Sequence, residues 1–530
     1  MRYDLEFVNI PNAIHKVSAK YADMPAIIDD GLEWDYAELD RQMLRAIRAA
    51  IAWGIEPGDR IGVYSTNSAR FILAALAIQG AGGIMIPLNT RFKPDEIAYI
   101  LERGGASGLV AEAPLQGRHY VEALRESAPD LEAIKHVITI DDLDLEGCTT
   151  WTDFLALSEQ VSEADALASI AAIKPDDVSD VLFTSGTTGY PKGVPFTHAQ
   201  SLRGYGDIGT RFGYGAGDKL LLIPPFFHAL GYKSGWFAAL LKGSVVLPER
   251  VFDSLHMIER IQNEKVTMMI GPPTVFNDLL NMPNRDDFDI SSLRLVIPAS
   301  SNVSNELMVR MREELGIAHV ITGYGLTESS ASVSCVSFDD DPAVAGDSSG
   351  RPLPGVEVTV VDELGNPVPT GEKGELLVSG YVVMSGYWDD PNATAETIDA
   401  EGRLRTGDIG TVDANGFVRV TGRKKDIIIV GGFNAYPAEI ERVLMQYPGI
   451  AEVAVVGVPD ERMGEVVCAF VVELPGQPLD REALIVWAKD KMANFKVPRY
   501  VEILSALPKN PSMKVLKNEL RELGAKSTQG

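Results

Sequence analysis

The stretch Val181-Leu-Phe-Thr-Ser-Gly-Thr-Thr-Gly-Tyr-Pro-Lys-Gly193 is a strand-like apolar run that leads directly into a loop of glycines and hydroxyl residues. Glycine lets consecutive backbone N–H groups turn toward one anion, and Ser and Thr hydroxyls add hydrogen-bond donors. Lys192 adds a cation. The spacing differs from the Walker A motif, because five residues separate Gly186 from Lys192 and no Ser or Thr follows the lysine. The segment predicts a strand followed by a loop that binds phosphate groups.

The sequence on both sides of this loop alternates between helical and strand-like segments. In the segment Tyr36–Trp53, apolar residues recur every four positions, which predicts an amphipathic helix that ends at Gly54: Leu39, Met43, Ile47 and Ile51. Short apolar runs predict strands at 60–64, 83–87, 220–223, 266–270 and 294–297. Strands that alternate with helices predict parallel βαβ units with helices on the faces of the sheets.

The pattern changes after about residue 350, where short strands are separated by Gly, Pro and Asp turns: 356–361, 374–378 and 416–420. They predict a small antiparallel sheet or barrel. After Gly422–Asp426 a strand, a helix that begins at Pro437 and a further strand predict a separate α+β domain. We therefore predict an α/β fold with an N-terminal domain at 1–422, β-rich from about 350, and a C-terminal domain at 423–530.

Composition limits the kinds of partner. The chain has 530 residues with 48 basic and 74 acidic side chains, a net charge of −26, which argues against a protein that binds nucleic acid or membranes through positive charge. Its 3 cysteines and 7 histidines show neither a disulfide framework nor the spacing of metal ligands. The chain starts without a signal-peptide pattern and contains no run of about 18 apolar residues. We expect a cytoplasmic protein with no transmembrane segment and no structural metal.

The segment Thr184–Gly193 resembles the phosphate-loop signature of the adenylate-forming superfamily, which includes acyl-CoA synthetases, aryl-CoA ligases, firefly luciferase and peptide-synthetase adenylation domains. Four further motifs of that family follow in order: Gly323-Tyr-Gly-Leu-Thr-Glu328, Arg405-Thr-Gly-Asp408, Gly422-Arg-Lys-Lys-Asp426 and Pro508-Lys-Asn-Pro-Ser-Met-Lys514. The chain is identified as a member, most similar to bacterial fatty-acid–CoA ligases. The resemblance implies two βαβ-type subdomains plus a small β-barrel, joined by a hinge to a small mobile C-terminal domain.

The resemblance also implies a binding site for ATP and Mg²⁺. The phosphates of ATP would be held by the residues of the loop: Thr184, Ser185, Gly186, Thr187, Thr188, Gly189 and Lys192. Glu328 would hold Mg²⁺ with help from Thr184 and Thr327, since this cation prefers oxygen ligands. Tyr324 would stack on adenine, Asp408 would accept from both ribose hydroxyls, and Arg423 would brace the ribose. The alternatives are a turn aspartate for Asp408 and a helix N-terminal charge for Glu328.

The catalytic residues implied by the resemblance are Lys514, His228 and Glu328. Lys514 would bridge the substrate carboxylate and the α-phosphate, and His228 would line the acyl pocket, although a packed core histidine is an alternative. Two half-reactions would follow, formation of acyl-AMP with release of pyrophosphate and then transfer to CoA. Between them the C-terminal domain would rotate about Lys425 and bring Gly431 and Gly432 to the CoA passage, where small residues allow close approach.

Two stretches depart from the family pattern, and both bear on the substrate or on catalysis. Met513 replaces the usual glycine before Lys514, and Pro298–Val303 replaces a glycine- and alanine-rich segment. The apolar segments Phe226–Gly235 and Ile270–Val275 favour a hydrophobic acid, fatty or ring-bearing. The stretches Pro87–Lys93 and Val430–Pro437 resemble fatty-acid–CoA ligases, including a subgroup that activates the propanoate side chain of degraded steroid rings.

The sequence leaves several hypotheses about the function open. The first is an acid–CoA ligase that binds a carboxylic acid, ATP and CoA. The others are delivery of the acyl group to a carrier protein, an aryl-CoA ligase, luciferase-like oxidation, and a silent nucleotide- or acyl-binding protein. A homodimer is also open, because a single sequence does not reveal a self-complementary surface patch.

Overall fold

The computed structural model describes residues 2–112, 114–115, 118–128, 136–184, 191–299, 303, 305–342, 348–431, 433–460, 462–510 and 514–527. Within these ranges the chain forms two seven-stranded sheets, a four-stranded and a five-stranded sheet, and smaller ribbons. The predicted α/β class with parallel βαβ units is confirmed.

The first large sheet is parallel except at one edge. Its strands lie side by side in the order His319–Val320, Leu295–Pro298, Met268–Gly271, Lys219–Leu222, Val245–Pro248, Pro25–Asp29 and Leu32–Asp35. Only the last pair is antiparallel. The strands in the middle of the sheet are buried on both faces, as expected for a parallel sheet covered by helices.

The second large sheet has the same plan, and its antiparallel edge carries the phosphate loop. Its strands lie in the order Lys192–Thr197, Val178–Thr184, Ile84–Pro87, Arg60–Tyr64, Gly108–Ala111, Val137–Thr139 and Cys148–Thr150. The first two pair as an antiparallel hairpin, while the others are parallel. The hairpin therefore presents its connecting loop at one end of the sheet.

The helix Tyr36–Trp53 shows how the sequence fixes local structure. Asp35 caps its first turn by accepting from the Glu38 N–H at 2.7 Å, and Gly54 ends it with φ = 100°. Other helices of the N-terminal domain have these bounds: Tyr3–Glu6, Ile10–Lys20, Ala69–Gly80, Pro94–Gly104, Tyr120–Ser127, Trp151–Ala156, Glu163–Ala172, His198–Arg211, Ala238–Leu241, Ser254–Glu264, Pro273–Asn281, Asn305–Glu314 and Pro391–Thr397. A π-helix spans Leu230–Phe237. No helix in the described ranges is long and apolar enough to cross a membrane.

The β-rich region after residue 350 is a four-stranded antiparallel sheet of Val356–Val361, Gly374–Gly380, Leu404–Val412 and Val418–Arg423. The fourth strand begins two residues later than predicted, because Gly416 occupies the left-handed region at φ = 80° and belongs to the turn. The strand Leu404–Val412 was not predicted. Two short antiparallel ribbons lie elsewhere in the N-terminal domain: Gly323–Tyr324 with Ser334–Cys335 and Arg351–Pro352, and Pro114–Leu115 with Arg118–His119.

The C-terminal domain packs three helices on a five-stranded sheet. Its strands are Ile428–Val430, Phe433–Ala435, Ile450–Asp460, Gly464–Glu473 and Tyr500–Leu504, and its helices are Pro437–Leu444, Arg481–Lys491 and Lys517–Ser527. Glu439 links it to the β-rich sheet, since this carboxylate pairs with Lys373 and also accepts from Lys496 at 2.8 Å. The domain boundary at 422–423 stays a prediction, and it falls within the last strand of the β-rich sheet.

Candidate active site

The phosphate-loop hairpin brings two predicted site residues face to face. Thr184 ends one strand, Lys192 begins the next, and the two are cross-strand neighbours, with the Thr184 Oγ1 donating to the Lys192 carbonyl at 3.4 Å. Gly193 allows close packing here, because a Cβ would lie 2.9 Å from the side chain of Val181. The loop residues between the strands fall outside the described residues, so their phosphate contacts stay predictions: Ser185, Gly186, Thr187, Thr188 and Gly189.

Glu328 and Lys192 both contact Tyr387, a residue that the sequence analysis did not identify. Glu328 sits in the short 3₁₀-helix Thr327–Ser329, and its Oε1 accepts a hydrogen bond from the Tyr387 hydroxyl at 2.8 Å. The Lys192 Nζ lies 4.9 Å from the centroid of the Tyr387 ring. The carboxylate of Glu328 and the hydroxyls of Thr327 and Thr184 are oxygen groups of the kind that suits Mg²⁺, and their arrangement around one ion stays a prediction.

The predicted ribose residues form one cluster across two strands. Asp408 and Arg423 are directly paired in the β-rich sheet, and the Arg423 Nε lies 2.8 Å from the Asp408 Oδ1. The Tyr324 hydroxyl donates to the Asp408 Oδ2 at 2.6 Å. Burial raises the pKa of the Asp408 carboxyl, although Arg423 and Tyr324 oppose the rise. The Tyr324 ring is thus anchored at its hydroxyl end, and its stacking on adenine stays a prediction.

Replacement of Asp408 by asparagine is expected to raise the KM for ATP by about 10- to 100-fold, since hydrogen bonds to a charged group are worth about 1.5–3 kcal/mol. Pyrophosphate release at varied ATP concentration measures this. The matched control is Asp413→Asn, because Asp413 also pairs with an arginine of this sheet, Arg419, at 2.7 Å. Equal KM values for both variants would contradict an ATP-binding role for Asp408.

Lys514 reaches the same cluster from the C-terminal domain. Its charge interacts with Glu328, Asp408 and Arg423, and burial followed by the Arg423 charge lowers its pKa. The loop that carries it is closed on itself: the Lys514 N–H donates to the Asn510 Oδ1 at 2.9 Å, and the Asn510 N–H donates back to the Lys514 carbonyl at 2.8 Å. The residue as a whole is exposed to solvent. Met513 lies outside the described residues.

His228 lies near Lys514 and has a defined protonation state. Its Nδ1 accepts a hydrogen bond from the Leu230 N–H at 3.2 Å, which assigns the ring proton to Nε2. Burial, followed by the charge of Lys514, lowers the pKa of His228 to about 4. The imidazole is therefore neutral at neutral pH, and its Nε2–H is a donor that suits a carboxylate. The residue is partly accessible, and its place in the acyl pocket stays a prediction.

The remaining predicted residues belong to the C-terminal side. Lys425 lies in an exposed 3₁₀-helix, Lys424–Asp426, at the predicted hinge. Gly431 is exposed at φ = 56°, and its N–H donates to the Met463 carbonyl at 2.8 Å within its own domain. Gly432 lies outside the described residues, as do Ser300–Asn302 of the segment that departs from the family pattern. Lys514 thus lies near residues that are predicted to bind ATP. The contacts described for Gly431 are with residues of its own domain.

Comparisons with known proteins agree with this arrangement. The family model of the AMP-binding enzyme matches residues 14–388, and that of the AMP-binding enzyme C-terminal domain matches residues 439–514. Proteins of Rhodococcus jostii and Mycobacterium tuberculosis, both named 3-[(3aS,4S,7aS)-7a-methyl-1,5-dioxo-octahydro-1H-inden-4-yl]propanoyl:CoA ligase, are each 41% identical over 97% of this chain, which covers 98% and 99% of their lengths.

A solved structure extends the agreement to three dimensions. The anthranilate CoA ligase AuaEII in complex with anthranoyl-AMP superimposes with a TM-score of 0.87 at 25% identity, covering 99% of this chain and 98% of that one. The predicted superfamily is confirmed, and with it the division into a large N-terminal and a small C-terminal part. From its motifs, its fold and these matches, the chain belongs to the family of AMP-binding enzymes.

Proposed function

We propose that this AMP-forming acid–CoA ligase activates a ring-bearing acid whose carboxylate ends a propanoate side chain. The observation that carries the reaction is the position of Lys514, whose charge acts on the cluster of Glu328, Asp408 and Arg423 and also on neutral His228. The two relatives at 41% identity support the acid, since their name specifies a propanoyl chain on a fused bicyclic ring. ATP and CoA are the other substrates.

The first half-reaction requires two anions to meet. A carboxylate oxygen attacks the α-phosphorus of ATP, the bond from that phosphorus to the bridging oxygen breaks, and pyrophosphate leaves. Lys514 offsets the negative charge that accumulates between carboxylate and phosphate. The His228 Nε2–H donates to the carboxylate and orients it. Lys192 holds the outer phosphates at the end of the hairpin.

Mg²⁺ is proposed as a cofactor because Glu328, Thr327 and Thr184 supply oxygen ligands. When bound, it would screen the charge of the phosphates. A homodimer and a cytoplasmic location also stay predictions, and light scattering and cell fractionation test them.

In the second half-reaction, Lys514 has to move out of the active site to make room for CoA. The CoA sulfur attacks the acyl carbonyl carbon, the bond to the AMP oxygen breaks, and the thiol proton goes to solvent. We propose that the C-terminal domain rotates about Lys425, which withdraws Lys514 and brings Gly431 and Gly432 to the thiol. That rotation has to break the Lys373–Glu439 ion pair between the domains.

The test is pyrophosphate release and thioester formation with a panel of acids, in the presence of ATP, Mg²⁺ and CoA. A bicyclic ring with a propanoate side chain is expected to give the highest kcat/KM, and octanoate, palmitate, benzoate and 4-coumarate lower values. The matched control is the same bicycle with its carboxyl group directly on the ring. We expect at least about tenfold discrimination, since even one methylene in an apolar pocket is worth about 10- to 200-fold.

Each outcome of this panel has a distinct meaning. A preference for octanoate or palmitate over the bicyclic propanoate would contradict the proposed acid and leave the ligase reaction standing. Pyrophosphate release without a CoA thioester would instead favour delivery to a carrier protein, which a second assay with a phosphopantetheinylated carrier in place of CoA would detect. ATP binding without pyrophosphate release for any acid would favour the silent binder.

A further inference from the structure

Tyr387 contacts two residues of the proposed site that come from distant parts of the chain. Its hydroxyl donates to the Glu328 Oε1 at 2.8 Å, and the face of its ring lies 4.9 Å from the Lys192 Nζ. It belongs to none of the five motifs that carry the family resemblance. The residue is only partly exposed, and burial raises the pKa of its hydroxyl.

The backbone around Tyr387 is fixed from several sides. The Tyr387 N–H donates to the Thr394 Oγ1 at 2.9 Å, and the Trp388 N–H donates at 2.8 Å to the carbonyl of Gly193, the residue next to Lys192. Arg103 donates to the Asp389 carbonyl at 2.6 Å. These bonds hold the turn against the phosphate-loop hairpin, so the Tyr387 ring keeps its position before any ligand arrives.

The two contacts separate opposite charges. A lysine and a glutamate that contact the same side chain would gain by pairing with each other, and a direct pair would use up the charges needed for phosphate and metal. Within the part of the chain that the structure describes, neither Lys192 nor Glu328 forms an ion pair. Instead Tyr387 gives Lys192 a ring face and gives the Glu328 Oε1 a donor, while none of the described residues donates a hydrogen bond to the Glu328 Oε2.

We infer that Tyr387 is a positioning residue that holds Glu328 and Lys192 apart in the arrangement that binds metal and ATP together. The inference rests on the proposed function, because it assigns Glu328 to the cation and Lys192 to the phosphates. The hydroxyl orients the carboxylate, while the ring orients the ammonium. The two contributions belong to different atoms of one side chain, so different substitutions separate them.

The experiment compares Tyr387→Phe with Tyr387→Leu by calorimetric titration of ATP, with and without Mg²⁺, on the full chain. Tyr387→Phe keeps the ring and removes the hydroxyl. It is expected to raise the Mg²⁺ concentration needed for half-maximal tightening of ATP binding by about tenfold, while metal-free ATP binding is unchanged. Tyr387→Leu also removes the ring and is expected to weaken metal-free ATP binding by about two- to fivefold.

The matched control is Tyr381→Phe. Tyr381 is also a partly buried tyrosine under a cation, with Arg203 at 3.8 Å from its ring, and its hydroxyl has no partner among the described residues. This variant should titrate like the wild type. Transfer of a supplied acyl-AMP to CoA gives a second readout, since that step needs neither pyrophosphate nor its cation and should be spared in Tyr387→Phe.

The outcomes separate this inference from the proposed function. An unchanged Mg²⁺ dependence in Tyr387→Phe overturns the positioning role, whatever Tyr387→Leu does. An equal loss of adenylation and of transfer from acyl-AMP also overturns it, because general damage would explain both. A wild-type chain whose ATP binding does not respond to Mg²⁺ would instead contradict the assignment of Glu328 on which the inference stands. If Tyr387→Leu does not fold, Tyr387→Phe alone decides.

Discussion

Replacement of Lys514 by alanine is expected to abolish acyl-adenylate formation and to leave the transfer of a supplied acyl-AMP to CoA intact. Loss of one positioned charge donor at a reacting centre costs about 10²–10³ in rate, and we expect a loss of at least that size in pyrophosphate release. The structure supports this because the charge of the lysine interacts with Glu328 and Asp408 and adds to the effect of burial in lowering the pKa of His228. Both half-reactions are measured separately, by pyrophosphate release and by mass spectrometry of the thioester.

The control for this variant is Lys517→Ala, three residues further along the chain. Lys517 pairs with Glu441 at 2.8 Å inside the C-terminal domain, so its loss should leave both half-reactions near wild-type rates. If Lys514→Ala slowed both half-reactions equally, the proposed rotation of the C-terminal domain would be wrong. Lys514 would then act in a single arrangement throughout the reaction.

The fold was predictable where local chemistry and periodicity agree. The helix Tyr36–Trp53 has its predicted bounds, because a capping aspartate precedes it and a left-handed glycine follows it. The C-terminal helix shows the limit. The apolar spacing of Val515, Leu516, Leu520 and Leu523 predicts a helix directly after Lys514. The helix begins at Lys517 instead, since Val515 bridges to Lys509 and the Leu516 N–H donates to the Pro508 carbonyl. Apolar spacing does not distinguish a helical turn from a closed loop.

The sequence predicted those residues of the site that belong to its motifs. Lys192, Glu328, Asp408 and Arg423 were named from the sequence, and the fold brings them together. Tyr387 was not identified from the sequence. Its proposed role depends on contacts with Glu328 and Lys192, which are distant in the chain, and no local sequence pattern indicates such contacts. The protonation state of His228 was likewise invisible, since it depends on which backbone N–H its Nδ1 meets.

A buried ion pair in the N-terminal domain was also not predicted from the sequence. Lys233 and Asp180 are both fully buried, and the Lys233 Nζ lies 2.6 Å from the Asp180 Oδ2 and 2.8 Å from the Ser201 Oγ. Asp180 belongs to the strand that leads into the phosphate loop, and Lys233 to the π-helix that follows His228. The pair thus ties the strand that precedes the phosphate loop to the π-helix. π-helices are rare and are frequently found at functional sites.

Replacement of Lys233 by methionine is expected to lower the free energy of unfolding by about 3–5 kcal/mol, because it leaves the Asp180 carboxylate buried without its cation. The midpoint of urea denaturation and the melting temperature measure the loss. The double variant Asp180→Leu with Lys233→Met should recover most of it, since an apolar pair of similar volume carries no desolvation cost.

The matched control is Lys265→Met, which breaks an ion pair of similar length, 2.8 Å to Asp289, whose side chains are 59% and 52% exposed. Water replaces the lost partner there, so we expect a change of about 0–1 kcal/mol. Equal losses for the two lysine variants would mean that burial of the Lys233–Asp180 pair contributes nothing. The double variant could also be stable but show a raised KM for the acid and an unchanged KM for ATP. That result would show that the charged pair positions the π-helix in addition to filling space in the core.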